Sequence, residues 1–250
     1  HGARQVLASV APCVHPGVPI VSLAKGLEQE TLARVTEVIR EVLPGHPTGV
    51  LTGPNLAREV MDGHAAVSVV AMDDMAAAAR IQSVFATGQF RVYTNHDVIG
   101  CEIGGSLKNV IAIATGMAQS LDVGDNTRAA VMTRGLSELT RLGMAMGGEQ
   151  ATFAGIAGMG DLLATCMSPQ SRNRRLGEEL GKGRLLSEIL AGTRMVAEGV
   201  RTADAVMRLS HRHGIEMPIC ERVHGVLTGT CTPREAYDGL LQRQVGHERD

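Results

Sequence analysis

The chain has 250 residues with 24 Lys+Arg against 26 Asp+Glu, so no global positive field is available to attract nucleic acid or an acidic membrane. Five cysteines (Cys13, Cys101, Cys166, Cys220, Cys231), an odd number, lie far apart with no C-x-x-C pair, which fits reduced thiols in a cytoplasmic protein best. No unbroken apolar run reaches the roughly 18 to 20 residues that cross a bilayer, and no leader pattern opens the chain, so no membrane span is expected.

In chain order, "VPIVSLAKG" reads as a short strand ending at Lys25 and Gly26, and "EQETLARVTEVIREVLPG" as a helix stopped by Pro44 and Gly45. The alternation repeats. "TGVLTGPN" is a strand entering a turn, "LAREVMDG" a short helix, "AAVSVVAM" a strand, "MAAAARIQSVFATG" a helix and "FRVYT" a strand. Such alternation predicts an α/β part over residues 1–96, with right-handed crossovers and a doubly wound, mainly parallel sheet covered on both faces. From Asp97 the strand signal stops. Residues 97–121, 126–146, 171–181, 185–191, 193–213 and 217–227 predict helices, making residues 97–250 an all-helical domain.

In a doubly wound sheet, ligands lie beyond the carboxyl ends of the strands. Two loops hold that position. Lys25 and Gly26 leave one strand end, although a surface lysine beside a turn glycine is the plainer reading. Gly53 and Asn55 form the other turn, where free amides at a helix start can meet an anion and Asn55 can equally be an N-cap.

In the helical half, "GIAGMGDLLATCMSPQSRNRRLGEEL" carries glycines at G-x-x-G-x-G spacing with no strand before them, which predicts a loop presenting Asp161 rather than a dinucleotide fingerprint. Ser171, Arg172 and Asn173 then open a helix. Hydroxyl, guanidinium and amide beside unpaired N–H groups suit a phosphate, while Ser171 as a plain N-cap with solvated arginines suits the segment as well. The histidines show no metal-ligand spacing, and no metal site is expected.

The stretch "GGSLKNVIAIATGM" puts Lys108 on an otherwise apolar helix, where its neighbours at three and four positions are Gly104, Gly105, Ile111 and Ala112. So bare a face leaves room for another backbone or for a ligand. A lysine snorkelling into water is the usual alternative. An enclosed ammonium has its pKa lowered by burial and neighbouring cations, towards the range of an acid–base catalyst.

Taken in order, "LAKGLE", "LTGPNLARE", "FRVYTNHDVIGCEIGGSLKNVIAIATGM", "TRGLSELTRLG", "GIAGMGDLLATC", "SRNRRLG", "VAEGVRTA" and "GIEMPI" resemble the bacterial type of NAD(P)-dependent glycerol-3-phosphate dehydrogenase. The resemblance covers nearly the whole chain. It implies reversible reduction of dihydroxyacetone phosphate to sn-glycerol 3-phosphate for glycerophospholipid synthesis, with NAD or NADP as cofactor, and a homodimer. By the same resemblance Lys108 is the acid–base residue. Lys25, Gly53, Asn55, Asp161, Ser171, Arg172 and Asn173 are implied at the substrate, and Lys25, Ala57, Arg172, Val196 and Glu198 at the cofactor.

Two departures from the family pattern stand out. Asn55-Leu56 replaces the usual Thr or Ser followed by Phe in the GP turn, where retention with altered geometry is expected. The family also opens with a glycine-rich strand-turn-helix, whereas no G-x-G-x-x-G occurs here and "HGARQVL" enters the pattern at a later helix. The sheet is therefore expected to be incomplete. The start at His1 rather than Met is expected of a truncation or a processing product, and these residues alone are expected to bind cofactor poorly. The alternative reading is an inactive remnant or a helical assembly module. A 3-hydroxyacyl-CoA dehydrogenase would use a histidine-glutamate pair, where this helix offers Lys108-Asn109.

Overall fold

The structure, a computed structural model, describes residues 2–192 and 198–242. It begins with helix α1 (Ala3–Val10), strand β1 (Ile20–Ser22), helix α2 (Val35–Val42) and strand β2 (Thr48–Thr52). Helix α3 (Ala57–Met61), strand β3 (Ala66–Met72), helix α4 (Met75–Phe85) and strand β4 (Phe90–Asn95) follow. The four strands form one sheet in the order β1-β2-β3-β4.

β1 pairs parallel with β2, and β3 with β4, but β2 and β3 run antiparallel. The sheet is mixed, and the cause lies in α3. A parallel connection must carry the chain back along a strand of about 17 Å. The five helical residues of α3 rise only about 7.5 Å. They turn the chain without returning it. β3 itself shows the strand period of two: Val69 and Ala71 cluster with Val50, Val98, Cys101 and Ala157, while Val70 and Met72 cluster with Ala77, Ala78 and Val92.

Every later element is helical: α5 (Val98–Ser120), α6 (Gly124–Ala145), α7 (Gln150–Ala154), a π-helical turn (Ile156–Gly160), α8 (Asp161–Met167), α9 (Arg172–Gly181), α10 (Leu186–Ala191), α11 (Glu198–His213), α12 (Pro218–Thr228) and α13 (Pro233–Leu241). α5 is the axis of this half, buried without a break from Gly100 to Ala118. With a mean hydropathy of 1.3 it is long and apolar enough to cross a bilayer, contrary to expectation, but 94% of that window is buried inside the protein. Glu102 and Lys108 interrupt its apolar run, which is why counting unbroken residues missed it. An all-round apolar helix of this kind belongs in a core. α9 packs along it through Gly116 and Gly177, where a Cβ would collide with the carbonyls of Arg174 and Ile113.

Other differences from the sequence reading are local. α2 starts at Val35 and not near Gln29, because residues 26–34 turn through a left-handed Leu32 (φ 64) and a bridge between Leu27 and Arg34. The expected loop before Asp161 is helical, with Asp161 as the first residue of α8. α13 was not anticipated, although Thr232 and Glu235 cap it reciprocally.

Candidate active site

The chain holds three lysines (Lys25, Lys108, Lys182), and two of them meet at one carboxylate. Asp161 is the first residue of α8, which continues directly from the π-helical turn. Its Oδ2 accepts from Lys25 Nζ at 2.7 Å, and its Oδ1 accepts from Lys108 Nζ. Thr165, one turn along α8, accepts from Lys108 at 2.6 Å and donates to the Asp161 carbonyl at 2.7 Å. Lys108 is 4% exposed and Asp161 2%. Burial pushes the Lys108 ammonium down to about 8; Asp161 opposes that shift and Lys25 adds to it. One carboxylate between two ammoniums leaves one positive charge over, which suits an anion or a developing oxyanion.

The small face of α5 is what admits this arrangement. A Cβ on Gly105 would lie 2.6 Å from Thr52 Oγ1 and 3.7 Å from Lys25 Cγ, and one on Gly104 would lie 3.0 Å from the Ala157 carbonyl. The room beside Lys108 is thus taken by the π-helical turn on one side and by Lys25 on the other.

Gly53 and Asn55 complete the Lys25 side. The Gly53 carbonyl accepts from Lys25 Nζ at 3.1 Å and Asn55 Oδ1 at 3.5 Å. Gly53 has φ 136, and a Cβ there would lie 3.0 Å from the Val67 carbonyl, so glycine is required. Asn55 Nδ2 donates to Ser68 Oγ at 3.0 Å, and α3 is capped by Leu56, so Asn55 is not an N-cap.

Lys25 and Gly26, together with Ser22, Leu23 and Ala24, line an open cleft of about 680 Å³ at the carboxyl end of β1, with Arg172 and Glu198 also in its wall. Arg172 Nη2 lies 3.4 Å from Glu198 Oε1, and Asn109 Nδ2 donates to Glu198 Oε2 at 3.4 Å. Asn173 is buried and accepts from the Gly199 amide at 3.0 Å. Ser171 caps α9 by accepting from the Arg174 amide at 3.2 Å, the plainer of its two readings. Ala57 is exposed at the start of α3 and does not line the cleft. Val196 lies outside the described residues.

Sequence reasoning missed Thr165 and Asn109. Thr165 stands four residues after Asp161, on the same helix face. That signal was readable only once "GDLLATC" is taken as helix. Among the described residues no group of His, Cys, Asp and Glu can hold a metal ion.

The cleft combines the backbone of Ser22–Gly26 with cationic Lys25 and Arg172, and Lys25 reaches from it to the buried Asp161.

The family model described as "NAD-dependent glycerol-3-phosphate dehydrogenase C-terminus" matches residues 97–238, and its "N-terminus" counterpart matches residues 1–78. A glycerol-3-phosphate dehydrogenase (NAD(P)+) 2 of Sphingopyxis alaskensis is 57% identical over 248 residues, covering 99% of this chain and 74% of that protein. One from Mycobacterium avium is 51% identical, covering 99% and 73%. The crystal structure of glycerol-3-phosphate dehydrogenase from Coxiella burnetii superposes with a TM-score of 0.92 at 37% identity, covering 97% of this chain and 74% of that one.

Proposed function

The chain belongs to the NAD-dependent glycerol-3-phosphate dehydrogenase family, and on that premise we propose that it carries the residues for reversible reduction of dihydroxyacetone phosphate to sn-glycerol 3-phosphate. The observation that carries the proposal is the buried Lys108–Asp161–Lys25 bridge beside the cleft. When bound, the nicotinamide supplies or accepts the hydride.

Lys108 is assigned the proton. Near pH 7 its amine, lowered to about 8, is mostly protonated, and it stabilises and protonates the carbonyl oxygen as negative charge develops there. In the oxidative direction the neutral amine accepts the hydroxyl proton. Asp161 holds Lys108 in place and shares its charge with Lys25. Lys25, Gly53 and Asn55 are assigned to the substrate, with the start of α9 (Ser171, Arg172, Asn173) holding its phosphate. Lys25, Arg172 and Glu198, which line the cleft, are also assigned to the cofactor, and Ala57 and Val196 are assigned to it by resemblance alone.

Residues 1–96 are assigned as the later part of a dinucleotide-binding domain and residues 97–250 as the substrate and catalytic domain. A cytoplasmic location is supported by five free cysteines, three of them buried. A homodimer through the helical half is supported by exposed Met144 and Met159 in one groove on α6 and the π-helical turn. A role in glycerophospholipid synthesis is assigned on the chemistry of the product, a glycerol already carrying its phosphate.

The discriminating assay compares cofactor oxidation with dihydroxyacetone phosphate and with acetoacetyl-CoA, using the full natural protein. Turnover of the phosphate substrate alone is expected. Turnover of the thioester would overturn the assignment, and turnover of neither would favour a helical assembly module.

A further inference from the structure

Between Lys25 and α2 the chain leaves the sheet and residues 26–34 lie against the helical half. Leu27 and Leu32 are buried in the helical core cluster. Arg208 of α11 donates to the carbonyls of Gln29 at 2.6 Å and Glu30 at 3.2 Å. Leu32 keeps its left-handed backbone because its amide reaches the Glu28 carbonyl at 2.8 Å and the Glu28 amide reaches the Ala33 carbonyl at 2.9 Å. Strain of this kind persists only where the surroundings over-determine it, and it gathers at functional segments.

The strap ends on Glu102 of α5, six residues before Lys108. Glu102 Oε2 accepts from Arg34 Nη1 at 2.8 Å and from the Thr36 hydroxyl, and Oε1 accepts from the Thr36 amide at 2.9 Å. Both Arg34 and Glu102 are 6% exposed. A buried ion pair is often matched or bettered in stability by apolar residues of the same volume. Its presence between the segment that carries Lys25 and the helix that carries Lys108 calls for a role beyond stability.

We propose that Glu102 is a positioning residue: by gripping Arg34 and Thr36 it fixes residues 26–34 on α5 and so holds Lys25 against Asp161 beside Lys108. The kinetic consequence rests on the dehydrogenase reading, whereas the geometric one does not. The charged groups that act on Lys108 are Lys25 from the sheet side and Asp161 from α8, and Cys166 of α8 lies near enough to feel the Lys108 charge. Burial pushes the Cys166 thiol up to about 11, so it stays neutral through the working range. A released Lys25 removes a cation that depresses Lys108 and leaves Asp161 to Lys108 alone. Both changes raise the Lys108 pKa.

The test uses the full natural protein and two variants, Glu102→Gln and Arg208→Ala. The second removes a half-exposed anchor, 45% accessible, and leaves the buried network intact. Acylation with an amine-reactive ester, read by peptide mass spectrometry, distinguishes Lys25 from Lys182, which serves as the internal reference. We expect Lys25 to react severalfold faster in Glu102→Gln and close to the parent rate in Arg208→Ala, where the Glu102 grip persists, with Lys182 unchanged in both. We also expect KM for dihydroxyacetone phosphate to rise about tenfold in Glu102→Gln and the alkaline midpoint of sn-glycerol 3-phosphate oxidation to move upward. Unaltered Lys25 labelling in Glu102→Gln, with nothing changed but thermal stability, overturns the proposal. Should Glu102→Gln fail to fold, Thr36→Val, which removes the hydroxyl donor to Glu102 and keeps the ion pair with Arg34, decides by the same labelling. Failure of the unsubstituted protein to turn over dihydroxyacetone phosphate counts against the dehydrogenase reading, and the labelling result then judges the positioning role on its own.

Discussion

At the residue scale, the site is an exercise in sharing one carboxylate. Asp161 opposes the burial that depresses Lys108, so Asp161→Asn removes an acceptor and a negative charge together. The amine then loses its proton at lower pH. In the unsubstituted protein the oxidation rate is expected to rise through about pH 8, as the neutral base forms, and in Asp161→Asn that midpoint moves to lower pH. A pH profile of kcat for sn-glycerol 3-phosphate oxidation checks both, and an upward shift in Asp161→Asn would reverse the electrostatic assignment. Lys108 itself was readable in the sequence as a cation on a bare helix face. What filled that face was not, because the side chain of Lys25 and the backbone of Ala157 come from segments 83 and 49 residues away, which only tertiary packing brings together.

At the scale of elements, two buried glutamates do the same work in different places. Glu102 of α5 meets the start of α2, and Glu138 of α6 accepts from the Ile219 and Cys220 amides at 2.7 and 3.2 Å, at the start of α12. Pro218 supplies no amide there, so these are orphan donors of the first turn. Burial pushes the Glu138 carboxyl up to about 7, despite those two bonds. With the folded pKa above the unfolded value, its contribution to stability is full below about 4.5 and is lost as pH rises through about 7. Glu138→Gln therefore flattens the fall in melting temperature between these values, measured by thermal unfolding at several pH values. The α5–α9 contact makes a second element-scale prediction. Gly177→Ala pushes a methyl into the Ile113 carbonyl, and overpacking of about 1–3 kcal/mol outweighs the gain in helix propensity of about 1 kcal/mol. A lowered melting temperature is expected. Elements whose ends are set locally were the legible ones: α4 begins at Asp74, which accepts from the Ala76 and Ala77 amides. α13 carried an equally plain signal in Thr232-Pro233-Arg234-Glu235, which went unread. α2 was read too long because Leu32 continues an apolar rhythm that serves the helical core and not a helix of its own.

Across the whole molecule, the alternation of strands and helices up to Asn95, followed by helices alone, was legible because each element carries its own period. The direction of β3 against β2 was not, since strand direction is decided by the length of the connecting helix and by what the sheet packs against. The same distinction holds for the site. Residue types suited to a phosphate and to proton transfer could be recognised singly, whereas their convergence on Asp161 is a property of how the sheet half and the helical half meet. The central claim is that Lys108 moves the proton at this junction. The direct measurement is the turnover of dihydroxyacetone phosphate by the full natural protein and by its Lys108→Ala variant, with melting temperatures compared in parallel. A loss of at least about a hundredfold in kcat with the fold retained is the predicted result. A variant that keeps kcat within a few-fold of the parent would contradict it and return Lys108 to a structural role.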